Sequence, residues 1–379
     1  MQLPASEQQD REIIVKTSML LLAIALNALE FFIPRIPLFP WLKPGLANII
    51  TVIWIIRYGF VESLLYALLR VWIVSFYFGF SFVTFALAFS GAVLAICAMS
   101  FCWRILGRHR VLGAVGVAVI GAFFHNMGQL GAVYVLMAQN SRLFYQAPFM
   151  IIASVIFGSV VGVLVPHLLS RVMQEKSDQT IPSVRLPRVE KIRALHLGIS
   201  VAFLLLCMAL VFVSDRLVLA GTALFVTLFV QGLKRGSLQA LVFPITRFWM
   251  LFLFIGVFHA IFSYGTKYPG IPFVTREGLE NATVQWLRLW AWLETSFVFL
   301  HFKFHAVLLK GLQKIFPGNR STLYAGLLAA EYFPAVVDYV RSKAGRLVKI
   351  LFVRPLHVIT ELFEGVSGIV VAEQERANK

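Results

Sequence analysis

The stretch FVESLLYALLRVWIVSFYF, residues 60–78, sets two charged side chains, Glu62 and Arg70, into a run otherwise apolar enough to cross a bilayer. A hydrocarbon core about 30 Å thick takes roughly 20 apolar residues per helical crossing, and windows of that kind recur along the chain. The 379 residues are 59% hydrophobic and 14% charged, with 35 phenylalanines and a mean hydropathy of +0.81. This composition excludes an ordinary soluble enzyme and predicts an all-α polytopic membrane protein.

Working outward from that stretch, apolar spans are expected at Thr17–Ile33, Leu46–Ile56, Phe60–Phe78, Val83–Trp103, Leu112–Met137 and Ala147–Leu169. The second is short enough to be re-entrant or tilted. The polar start, MQLPASEQQDREIIVK, carries Glu7, Asp10 and Glu12 and does not resemble a cleavable leader, so the first span is expected to be retained. After a basic, proline-bearing segment, further spans are expected near Leu197–Val213, Leu217–Gln231, Leu238–Phe262 and Val284–Leu300. Beyond Leu300, HFKFHAVLLKGLQKIF and AEYFPAVVDYVRSKAGRLVK mix basic and apolar residues at helical spacing, as helices do that lie on a membrane surface or dock a partner. A last weak span runs from Leu347 to Val371, interrupted by Arg354, Pro355 and His357. The chain thus divides into a membrane domain of about six helices over 1–172, a cytoplasmic basic linker over 173–194 and a second helical membrane domain over 195–379.

The formal net charge of +16 is spread along loops and not gathered in one basic domain, which argues for topology and against nucleic acid. If alternate loops are cytoplasmic beginning with the N-terminus, Arg57, the run ending at Arg110 and the segment Arg171–Arg193 lie inside, while only Arg35, Lys43 and Arg142 of the first half lie outside. The positive-inside rule therefore predicts a multi-pass protein of the inner (cytoplasmic) membrane with its N-terminus cytoplasmic. Cys97, Cys102 and Cys207 are scattered, without metal-ligand spacing, and no metal site is expected.

Polar groups inside such spans need a partner, a cavity or a function, because burying an ionised side chain at mid-membrane costs roughly 2.5 to 3.5 kcal/mol on insertion scales. Arg70 lies near the centre of its span with Glu62 two turns earlier and Tyr66 one turn away. It is either half of an internal Glu62–Arg70 pair or a cation facing a ligand cavity. In AFFHNMGQLGAVY, residues 122–134, His125 and Gln129 share a helix face and Asn126 lies about 100° round. They form either an interhelical hydrogen-bond cluster or part of a binding site. In LFPWLKPGLANII, Lys43 precedes a helix that carries Asn48 in its first turn. The arrangement suits an anion at a helix N-terminus, or else Pro44 and Gly45 merely shape the turn and Lys43 snorkels to headgroups. Lys43, Asn48, Glu62, Arg70, His125, Asn126 and Gln129 are accordingly the candidate ligand-binding residues.

KPGLANI, the span bearing Arg70, SFVTFALAFSGAVLAICAMS and GAFFHNMGQL, in that order over about residues 15–172, resemble the Gx transporter family, often labelled heptaprenyl diphosphate synthase component I. That family is similar in size and helix number to the substrate-binding S components of energy-coupling-factor vitamin transporters. The second half, through TREGLENATVQWLRLWAWLETSFVFL with Arg288, EYFPAVVDYVRSKAGR and AEQER, resembles the T component of those transporters. The family's Ala-Arg-Gly or Ala-Arg-Ser coupling signature is intact at neither of the last two places. The resemblance implies an S-like bundle fused to a T-like helical domain with amphipathic cytoplasmic helices, Arg341, Arg346 and Arg376 falling where ATPase subunits are contacted.

Chemistry separates the enzyme label from the chain. Mg²⁺-diphosphate is held by clustered carboxylates, and the four aspartates, Asp10, Asp178, Asp215 and Asp338, lie far apart in sequence. A GxxxxGK[ST] loop is also missing from the sequence, so any ATP-driven step requires a separate subunit. No enzymatic activity and no cofactor are expected. The expected function is capture and coupling in an energy-coupling-factor-like transporter for a small vitamin-like or isoprenoid-related ligand, with ATPase subunits and membrane lipids as partners. A competing expectation is a non-transporting subunit of a flavin- or quinone-linked redox complex, with flavin-carrying subunits as partners. A third is a scaffold for a partner.

Overall fold

In lipid only internal i to i−4 bonding satisfies the backbone, so the long apolar runs fold as helices. The computed structural model describes residues 5–30, 32–33, 45–77, 82–107, 113–178, 184–185, 194–234, 239–301, 311–351 and 353–378. The first half holds α1 (Ala5–Glu30), α2 (Asn48–Tyr77), α3 (Phe82–Cys102), α4 (Ala114–Val133) and α5 (Ala147–Asp178). The second half holds α6 (Ala194–Ala209), α7 (Arg216–Lys234), α8 (Gln239–Phe262), α9 (Arg276–His301), α10 (Arg320–Leu351) and α11 (Pro355–Asn378). Among the described residues six helical stretches are long and apolar enough to cross a membrane, five in the first half and Pro355–Asn378 at the end. The protein is an all-α polytopic membrane protein.

Length alone would make Asn48–Ser75 one crossing. Yet Trp54 and Tyr66 stack with ring centroids 4.3 Å apart, and twelve residues of straight helix are about 18 Å long. The axis therefore turns back sharply, and the turn falls at Gly59, whose φ of 79° and ψ of −169° are non-helical. The two arms correspond to the separate spans Leu46–Ile56 and Phe60–Phe78 read from sequence, the first of them too short to cross. A Cβ at Gly59 would meet no atom within 4 Å, so Gly59→Ala tests backbone conformation alone. It is expected to cost about 1 kcal/mol through the left-handed φ, read as a small drop in thermal unfolding temperature in detergent.

Several expected boundaries shift. The helix α5 continues to Asp178, past the expected start of the linker at 173, and does so through Pro166. Of the linker beyond that helix, Val184 and Arg185 are described: their N–H groups donate to Asp10 Oδ2 at 3.2 Å and Gln374 Oε1 at 2.9 Å. The expected weak span Leu347–Val371 is instead the end of α10, at Leu351, followed by α11 from Pro355. Proline suits a first helical turn, where its missing N–H is not needed, and it breaks the helix before it. The Gly/Pro-rich loop between α8 and α9 contains a short antiparallel hairpin, β1 (Lys267–Tyr268) with β2 (Ile271–Thr275). Most of HFKFHAVLLKGLQKIF lies outside the described residues.

Two hydrophobic clusters form, and they do not divide at the basic segment. One joins α1, α2 and parts of α3 to α5 with α10 and α11; the other joins the far ends of α3, α4 and α5 with α6 to α9. The amphipathic α10 thus packs its apolar face into the protein: Ala325, Leu328, Ala329 and Val336 are fully buried. Gly326 of α10 faces Leu69 of α2 so closely that a Cβ would sit 2.8 Å from its methyl groups. In the second cluster the Phe82 N–H donates to Ser296 Oγ at 3.1 Å, and Arg142 donates to the Phe262 carbonyl at 2.8 Å.

Candidate functional site

In the N-terminal half of α1 a polar knot binds three helices. Lys16, 1% exposed, lies 2.7 Å from Glu12 and 3.1 Å from Glu62, donates to Ser321 Oγ at 2.9 Å and stands 4.7 Å above the Tyr58 ring. Glu62 also accepts from Asn319 Nδ2 at 2.8 Å and from the Thr322 hydroxyl. A carboxylate with a lysine and two neutral donors is already satisfied. The Glu62–Arg70 pair expected from spacing therefore does not form: the turn at Gly59 aims Glu62 at α1 and α10, so it holds the two halves of the chain together and does not line a site with Arg70.

Arg70 lies farther along the second arm, 5% exposed. Its guanidinium sits 5.9 Å from the Tyr66 ring centroid, and among the described residues it makes no ion pair; its Nε–H is buried without an acceptor. On the same two arms Trp54 Nε1 is buried without a hydrogen-bond partner, and the buried Thr51 and Tyr66 hydroxyls find none beyond each other. Thr51, Trp54 and Tyr66 are 2%, 0% and 0% exposed. The two arms of α2 bring them together: Trp54 stacks on Tyr66, and Thr51 stands beside the Tyr66 hydroxyl. The result is a set of donors with one positive charge in an apolar core that includes Ile50, Ile53, Leu69 and Ile73.

The other buried arginine is a contrast. Arg288 of α9, fully buried, donates to Gln285 Oε1 at 2.9 Å and to the Val213 carbonyl. Its Nε–H, like that of Arg70, has no acceptor, but the Val213 carbonyl ties its other end to the segment that follows α6, a packing role. In the sequence Arg70 stands out as an intramembrane cation, whereas Arg288 is met only within the T-component resemblance.

The polar triplet in α4 is split between two neighbours. Gln129 Nε2 lies 3.0 Å from His125 Nε2, and this i, i+4 pair faces Gly91 of α3, where a Cβ would come within 3.0 Å of the His125 ring. Asn126 points elsewhere, donating to Ser154 Oγ of α5 at 2.9 Å. Ser90 Oγ donates to the Gly128 carbonyl at 3.0 Å, closing the α3–α4 contact. These contacts are those of an interhelical cluster, and none of them involves Arg70.

Lys43 lies outside the described residues. Asn48 opens α2 half-buried, its N–H bonded to the Gly45 carbonyl at 2.9 Å. The anion expected at that helix start is supplied by the protein: the Glu30 carboxylate accepts from the Leu46 N–H. Glu30, 4% exposed, and Lys16 were missed by sequence reasoning. The i, i+4 spacing of Glu12 and Lys16 was an available signal for the second.

The coupling candidates lie at the C-terminal end. Arg341 is exposed. Arg346 pairs with Glu361, which also binds Lys343 at 3.0 Å; the Glu361 carboxylate, helped by the Tyr339 hydroxyl, holds the Lys343 amine above its ordinary value. Arg376 bonds to Glu373, one turn earlier on α11, at 2.7 Å.

No curated protein and no solved structure matches the chain. A family model does, and it runs from Met19 in α1 to Leu168 in α5, including both arms of α2 with Thr51, Trp54, Tyr66 and Arg70. Residues 19–168, the N-terminal membrane bundle, carry the sequence pattern of the family described as heptaprenyl diphosphate synthase component I.

Proposed function

We propose that this chain is the membrane component of an energy-coupling-factor-like transporter. The N-terminal bundle captures a small vitamin-like or isoprenoid-related ligand, and the C-terminal half, resembling a T component, links it to ATPase subunits. The observation that carries this reading is Arg70. A buried guanidinium with no ion pair among the described residues and no acceptor for its Nε–H is unfavourable unless something else supplies one, and a bundle built to capture a ligand has that supply. With the N-terminus cytoplasmic, the donor set lies toward the outer face, since Thr51 and Arg70 are both remote from the Gly59 turn beside Lys16. The chain performs no reaction of its own in this reading.

A second reading, a subunit of a flavin- or quinone-linked redox complex, is favoured by one observation: Arg346 and Arg376, expected to reach ATPases, are engaged by Glu361 and Glu373 of the same helix pair. Purifying the tagged full-length chain from native membranes and identifying stoichiometric partners by mass spectrometry separates the two. ATPase subunits are the expected result. Flavoproteins would establish the redox reading, and the absence of both would remove coupling from the proposal.

A further inference from the structure

We propose that Thr51, Trp54, Tyr66 and Arg70 form an oxyanion site that takes the carboxylate or phosphate head of a single-chain amphiphile. The inference deepens the capture reading by naming the ligand class, and rests on it only for the bundle being a ligand-binding one.

Four side chains, each more than nine-tenths buried, carry polar atoms that the rest of the fold leaves unpartnered within one stretch of two helix arms; the Thr51 and Tyr66 hydroxyls stand within reach of each other, and the Arg70 Nε–H and the Trp54 indole N–H have no acceptor. Two of the orphaned atoms, the Arg70 Nε–H and the Trp54 indole N–H, only donate; the Thr51 and Tyr66 hydroxyls can donate as well. An amine would bring a second positive charge to the guanidinium, and a neutral sugar would leave that charge unmatched. An oxyanion fits: it brings several lone pairs and a negative charge to the guanidinium, and charge-assisted bonds of that kind are stronger than neutral ones. The rest of the ligand is constrained by what surrounds the donors. Trp54, Tyr58 and Tyr66 form an aromatic face, with Trp54 5.2 Å from Tyr58, and the nearby core positions are aliphatic. Such walls favour an apolar body behind the charged head. The buried Glu30 accepts from the Leu46 N–H and Glu62 is held in the Lys16 knot, and among the described residues no carboxylate forms an ion pair with Arg70.

The test uses the full-length protein in phosphatidylcholine nanodiscs and a matched series of probes: oleate, oleyl phosphate, oleyl alcohol and inorganic phosphate. Affinities are read by microscale thermophoresis and by ligand-dependent shifts in unfolding temperature. Oleate or oleyl phosphate is expected to bind, and the stronger of the two identifies the head. Oleyl alcohol is expected to bind at least roughly tenfold more weakly, as the loss of a charge-assisted contact implies. Inorganic phosphate binding as tightly as oleyl phosphate would identify a free anion, and would overturn the amphiphile part of the proposal. Arg70→Leu should abolish the preference for the charged head, with Arg70→Lys restoring part of it. Tyr66→Phe and Trp54→Phe, which keep the aromatic face, should each weaken binding by about fivefold. If Arg70→Leu does not fold, these two decide, and unchanged affinity in both overturns the site. So does equal binding of oleate, oleyl phosphate and oleyl alcohol to the wild-type protein, or no binding by any probe. Because no transport or ATPase is involved, failure of the transporter reading leaves this outcome separately readable.

Discussion

Replacing Lys16 by methionine is expected to lower the unfolding free energy by about 3 kcal/mol, the low end for removing one partner of a buried ion pair. The amine is sealed, at 1% exposure, while Glu62 keeps 17% of its side-chain surface. After the substitution Glu62 retains Asn319 and Thr322 as donors but loses its counter-charge. Glu12, about half exposed, contributes little of the effect because solvent screens it. The double variant Lys16→Met, Glu62→Leu should be less damaged than the two single effects summed, since it removes the stranded charge along with the pair. Denaturant-induced unfolding in detergent micelles measures all three variants. Additive losses would show that the knot is not one coupled unit. The consequence reaches beyond stability: Asn319, Ser321 and Thr322 belong to the second half and Lys16 and Glu62 to the first, so loosening the knot should also loosen α10 from α1.

A comparable loss is expected where α4 and α5 touch through glycine. A Cβ on Gly162 would lie 2.3 Å from Val115 Cα, and one on Gly158 would lie 2.6 Å from Val119 Cα. Both neighbours are backbone atoms, which no rotamer change can move aside. Close approach of this kind, through small residues, is how helices associate where lipid removes the hydrophobic drive between them. Gly162→Ala is expected to cost about 2 to 3 kcal/mol as the helices are forced apart, and Gly162→Leu should leave no folded protein to purify. Gly198→Ala and Gly221→Ala are the controls: nothing lies within 4 Å of either position, and alanine should stabilise those helices by up to about 1 kcal/mol. Equal melting temperatures for Gly162→Ala and the controls would contradict the packing described.

How much of this was legible beforehand depends on the distance over which each feature is determined. Apolar length is local, so the spans of the first half, including the short second one, were readable, whereas the span expected over Leu347–Val371 runs through Pro355, where α11 in fact begins. The direction of a side chain after a turn is not local. Glu62 and Arg70 lie eight positions apart on one helix, close enough in sequence to suggest a pair, but Glu62 finds Lys16 and α10 instead. Long-range partners such as Asn319 leave no trace in the sequence around residue 62. The same limit hid Thr51 and Trp54: only the reversal at Gly59 brings them to Tyr66 and Arg70. His125, Asn126 and Gln129 stand out in the sequence as polar groups within an apolar span, yet their division between α3 and α5 follows from helix packing that no single-helix periodicity encodes.

The most direct test of Arg70 as a ligand-binding group is a cryo-electron-microscopy map of the full chain purified from its own membrane in mild detergent. A non-protein feature contacting the Arg70 guanidinium and lying within hydrogen-bonding distance of Trp54 Nε1 or the Tyr66 hydroxyl is the expected result. A guanidinium saturated by the chain's own carbonyl or carboxylate oxygens, with no room beside it, would contradict the assignment.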